Sequence, residues 1–122
     1  MFFPVEDWFE AFVLTLVVET PIVVLVLRRA EPGLARLALI AVFANLATHP
    51  AVWFVFTQLF LVGTAEYVLV AEAWAIAVEA AFFVVVIRGV GARRAVTASL
   101  LANGASILAG LLVGSQLLEV PV

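Results

Sequence analysis

Three carboxyls, one imidazole, two carboxamides and two hydroxyls stand out within largely apolar stretches: Glu19, Glu72, Glu79, His49, Asn45, Asn103, Thr48 and Ser106. Four of them share one spacing. Glu19 and Glu79 stand nine residues before Arg28 and Arg88, and Asn45 and Asn103 stand nine residues after Arg36 and Arg94. On a helix rising ~1.5 Å per residue this is ~13 Å from an arginine boundary, close to the midplane of a ~30 Å hydrocarbon layer. Thr48 and Ser106 follow the two Asn by three residues and His49 follows Asn45 by four, which places all three one turn outward on the same faces. Glu72 precedes Glu79 by seven residues, two turns outward.

An ionisable side chain at the centre of a bilayer costs ~2.5–3.5 kcal/mol on insertion scales, which makes such a group a functional hypothesis by default. A carboxyl there needs a proton or a cation beside it. Two chemistries follow. Glu19, His49 and Glu79 are donor types that bind a divalent metal ion; alternatively, the carboxyls hold protons that a passing cation displaces. The expected function is therefore a mid-membrane Glu/His/Asn site that binds a metal cation or protons and serves transport. A membrane-embedded metalloenzyme with water at an open metal position, and a non-catalytic structural or accessory subunit, are the alternatives. For Asn45, Asn103, Thr48 and Ser106 the competing role is hydrogen-bond glue between helices.

The elements that position these groups are long and apolar. The 122 residues are 66% hydrophobic and 12% charged, far from the balance of a soluble domain. The length accommodates about four spans of ~20 residues with short connections. The pattern predicts an all-α integral membrane four-helix bundle, one domain over residues 1–122, with spans at approximately 8–27, 37–61, 67–87 and 95–118. Arg28-Arg29-Ala30-Glu31-Pro32-Gly33 ends the first span, Val62-Gly63-Thr64-Ala65-Glu66 turns the chain after the second, and Arg88-Gly89-Val90-Gly91-Ala92-Arg93-Arg94 turns it after the third. Pro21 and Pro50 remove the backbone bonds to the Val17 and Leu46 carbonyls, so under-satisfied carbonyls are expected near Glu19 and His49. Ala102, Ser106, Gly110 and Gly114 form a small-residue stripe that reads as a packing face.

All six basic residues are arginines in the first and third connections. Short arginine-bearing loops stay in the cytoplasm, so both termini are expected on the non-cytoplasmic side, with Trp8, Tyr67 and Trp53 or Phe60 toward the outer interface. The acidic start, Met1 to Trp8, lacks the basic region of a cleavable signal. The halves also match: Glu-x8-Arg, a loop, then Arg-x8-Asn-x-Ala-Thr/Ser occurs twice, which predicts two parallel-repeat hairpins about an axis along the membrane normal.

A net charge of -3 without a basic run argues against nucleic acid. The partners expected are the lipid bilayer and further copies of the chain, because four helices enclose little space. With no cysteine there is neither a disulfide nor a thiolate site, and no phosphate loop, zinc-protease helix or serine elbow occurs.

Overall fold

The computed structural model describes residues 5–62 and 64–118, and within them the chain is helical with no strand. The first four residues, Gly63 of the second turn and the tail from Glu119 lie outside the described residues. The helices are α1 (Val5–Leu27), α2 (Leu34–Pro50), a π-helical stretch (Ala51–Val55), α3 (Phe56–Leu59), α4 (Ala65–Val86) and α5 (Ala92–Leu118). The π-helical stretch joins α2 and α3 into one rod, so four helical rods are long and apolar enough to cross a membrane. The expected all-α four-span bundle is what the chain forms.

Spans two to four begin two or three residues earlier than the arginines and turn signals suggested. Gly33 caps α2, and the Leu37 amide already bonds the Gly33 carbonyl at 2.9 Å, which puts Arg36 inside the first turn. Its side chain remains exposed and pairs with Glu31 at 3.1 Å. Arg36 Nη2 also donates to the Val86 carbonyl at 3.4 Å, joining the first connection to the end of α4. Ala95 likewise bonds Gly91 at 3.0 Å at the start of α5. Thr64 caps α4 by accepting the Tyr67 amide at 3.3 Å.

Gly89 turns the chain after α4 with φ +84°, a conformation that an L side chain enters only with strain. Gly89→Ala is expected to cost about 1 kcal/mol, although open space surrounds the position, and equilibrium unfolding in detergent measures it.

The rods form a ring. α1 packs on α2 and α5, and α4 packs on α2 and α5, so the first and third spans lie across from each other. The burial pattern is that of a membrane protein. Leu25, Leu59, Leu69, Val85 and Leu111 face outward, while Glu19, Asn45, Thr48, Glu79, Ser99 and Asn103 are buried. Lipid tails are as apolar as leucine, so helices associate by close packing of small residues rather than by escape from water. Ala41, Ala44, Ala95, Ala98 and Ala102 are fully buried and let the backbones approach.

Inward positions of one hairpin recur in the other. Val23 and Leu27 are buried as are Phe83 and Ile87 sixty residues on, and Leu37, Ala41, Ala44 and Asn45 as are Ala95, Ser99, Ala102 and Asn103 fifty-eight on. At the arginine end the apolar side chains among these close into one core. The polar groups lie beyond it, toward the termini.

The two prolines behave differently. Pro50, with no N–H, ends α2, and the chain widens into the π-helical stretch before recovering α geometry at Phe56. Pro21 sits within an unbroken α1. Pro21 and Val17 both face outward, so the carbonyl freed there is on the lipid side and not beside the Glu19 carboxyl. That part of the expectation from the prolines is corrected.

Candidate mid-membrane polar site

Glu79, from α4, is bonded through both carboxyl oxygens. Its Oε2 accepts the Thr48 hydroxyl of α2 at 3.0 Å, and its Oε1 accepts Asn103 Nδ2 of α5 at 3.2 Å. Asn103 Nδ2 also reaches the Ser99 carbonyl at 2.9 Å, and the Ser99 hydroxyl donates to the Ile76 carbonyl at 3.0 Å. One carboxyl thus joins three spans. The Thr48 oxygen is also 3.3 Å from the Ala44 carbonyl. A hydroxyl has a single proton, so Thr48 either donates to an ionised Glu79 or donates to Ala44 while accepting from a protonated one.

Glu19, from α1, has the matching hydroxyl but is not bonded through both oxygens. Ser106 of α5 donates to Glu19 Oε1 at 2.8 Å and lies 3.0 Å from the Asn103 carbonyl, so it has the same two proton arrangements. Asn45 donates through Nδ2 to the Ala41 carbonyl at 3.1 Å and is also a side-chain hydrogen-bond partner of the Glu19 carboxyl. Glu19 Oε2 is buried with no hydrogen-bond partner, in a residue only 1% exposed. A lone pair without a partner inside a membrane protein is costly unless something fills the space before it.

Glu19 also lines a cavity of about 270 Å³. All eight residues singled out by sequence line it: Glu19, Asn45, Thr48, His49, Glu72, Glu79, Asn103 and Ser106. Every lining residue is in or on the terminal side of the Glu/Asn layer, and Gly110 at the rim is exposed. His49 Nε2 lies 3.3 Å from the Thr15 hydroxyl, and its Nδ1 is buried without a partner. Phe12 and Trp53 flank the His49 ring at 5.4 and 6.3 Å. Glu72 Oε2 is a third buried atom without a partner. No arginine lines the cavity.

Nine of the lining residues were not assigned to the site from the sequence, and three of these, Thr15, Trp53 and Tyr67, carry a hydroxyl or an aromatic ring. Thr15 is one turn before Glu19 on the same face, a usable signal. Trp53 and Tyr67 carried only the signature of interface aromatics, yet both line the cavity. The Tyr67 hydroxyl donates to the Val52 carbonyl at 3.1 Å, which ties α4 to the π-helical stretch and leaves the ring beside the cavity. The small-residue stripe also divides: Ala102 packs in the core, whereas Ser106 and Gly110 line the cavity.

The metal donor set expected from sequence was Glu19, His49 and Glu79. Among the described residues no three His, Asp or Glu side chains group closely enough to hold a metal ion. The physical reason is that Glu79 spends both oxygens on Thr48 and Asn103, while His49 sits a turn outward against Thr15 and the aromatic rings. Comparison with protein families, characterised proteins and solved structures finds no significant match to the chain, so the site is interpreted from its own geometry.

Proposed function

We propose that the protein is a small membrane carrier in which Glu19 exchanges a proton for a cation entering the cavity, while Glu79 holds the bundle in register. The observation that carries this reading is the contrast between the two carboxyls. Glu79 is bonded through both oxygens across three spans, whereas Glu19 Oε2, Glu72 Oε2 and His49 Nδ1 are buried and unpartnered in residues that line one cavity. Three carboxyls without a fixed cation require mobile positive charge, which a proton or an entering cation supplies. The cation-exchange form is preferred to a metalloenzyme because the donors do not converge as metal ligands do.

The matched contacts support a duplicated origin for the hairpins. Glu79 accepts Thr48 across the hairpin boundary as Glu19 accepts Ser106, and Asn45 and Asn103 each donate to the carbonyl four residues earlier. The cavity would then be where the repeats diverged, because His49 and Glu72 have Ile107 and Phe12 as counterparts.

The reading places the arginine end in the cytoplasm and the cavity outside. Cysteines placed at Gly33 or Gly91 should react with a membrane-impermeant maleimide only from the cytoplasmic face; labelling from outside reverses the orientation. For activity, protein in vesicles with a trapped pH dye should move protons when a cation gradient is imposed. Vesicles that respond no faster than protein-free ones would sink the carrier reading.

A further inference from the structure

We propose that the cavity takes a small organic monocation, a protonated primary amine carrying an aromatic or compact apolar group. This deepens the carrier reading and rests on it. Two buried carboxyl oxygens without partners, Glu19 Oε2 and Glu72 Oε2, belong to residues that line the cavity, and the Glu19 carboxylate formed on exchange, with the neutral Glu72 carboxyl beside it, would accept the N–H groups of an ammonium. The opposite requirement, a surface for the rest of the ligand, is met by His49, Trp53 and Tyr67. The Tyr67 hydroxyl is committed to Val52, so the residue offers its ring, and aromatic faces attract organic cations.

Size supports the class. A volume of about 270 Å³ holds roughly nine water-sized groups at ~30 Å³ each, enough for an arylalkylamine. The donor geometry agrees, since no metal-holding group forms among the described residues. Charge balance sets the stoichiometry: the ammonium enters with its charge, the Glu19 carboxyl loses its proton to solution, and carboxylate and ammonium remain paired. The titratable groups around this exchange are Glu19 from α1, His49 from α2, and Tyr67, Glu72 and Glu79 from α4; those lining from α5 are Asn103 and Ser106, which do not titrate.

The test is titration of phenethylammonium chloride into the full chain in neutral-lipid nanodiscs in weak buffer, with calorimetry and a pH indicator read together. Saturable binding with release of a single proton per site is expected, while 2-phenylethanol, neutral and of similar shape, should not bind. Glu72→Gln, at a half-buried position, should weaken the amine without unfolding the protein, and Trp53→Leu should weaken it by about 3- to 30-fold. Equal binding of the alcohol, or unchanged affinity in both variants, overturns the proposal. Proton release by sodium or potassium chloride but not by the amine removes the amine and keeps proton exchange. Release by none of these salts removes both.

Discussion

Glu19→Gln is expected to abolish cation-driven proton release while leaving the protein folded. Glutamine can donate to the Ser106 oxygen, whose own proton then turns to the Asn103 carbonyl 3.0 Å away, so the helix contact survives in the arrangement of a protonated acid. What disappears is the capacity to become an anion. Cation affinity should fall by about 100-fold or more, the scale on which removing one partner of a buried ion pair acts. Glu79→Gln is the control, because its amide can donate to Thr48 while its carbonyl accepts from Asn103, with Thr48 then bonded to Ala44. The pair of variants measured by proton release in nanodiscs separates the two carboxyls. If Glu79→Gln is silent in that assay and Glu19→Gln is active, the roles assigned here are reversed.

Glu79→Leu should instead unfold the bundle more readily. Two bonds from two different helices are lost together. Thr48 can retreat to the Ala44 carbonyl and Asn103 keeps the Ser99 carbonyl, so the donors are not wholly stranded. Interhelical hydrogen bonds in membranes average well under the value of a stranded group, and the expected loss is about 1–3 kcal/mol. Glu79→Gln should lose less than about 0.5 kcal/mol, since every partner is retained. Reversible unfolding of the three proteins in the same bicelles compares them. A Leu variant as stable as the parent would mean that the three-span junction contributes nothing to register.

The polar layer was legible because depth in a membrane follows from simple counting: nine residues from an arginine fix a level, and three- and four-residue steps fix a face. Those rules brought all eight polar residues to one cavity without any knowledge of packing. They could not distinguish Glu19 from Glu79, which have identical spacing to their arginines. The distinction depends on which partners each neighbouring helix presents: Thr48 and Asn103 engage separate oxygens of Glu79, whereas Glu19 Oε2 is left without a partner. Nor does composition separate an aromatic at the membrane surface from one beside a cavity, so Trp53 and Tyr67 were legible only as amphipathic rings. The widening after Pro50 was similarly hidden. Proline announces a lost bond, but whether the helix kinks, as expected at any proline, or opens into π geometry is decided by the surrounding contacts.

If the protein is the proposed carrier, the apolar core at the arginine end would also set how voltage acts on it. On the carrier reading, water entering the cavity would carry the potential of its own bath toward Glu19, and the transmembrane field would then fall mainly across the layer of Val23, Leu27, Leu37, Phe83 and Ile87. A charge crossing that thin layer meets nearly the whole potential, worth about 2.3 kcal/mol per 100 mV. Loading of the cavity would therefore be almost electrically silent, and the step past Phe83 would carry the current.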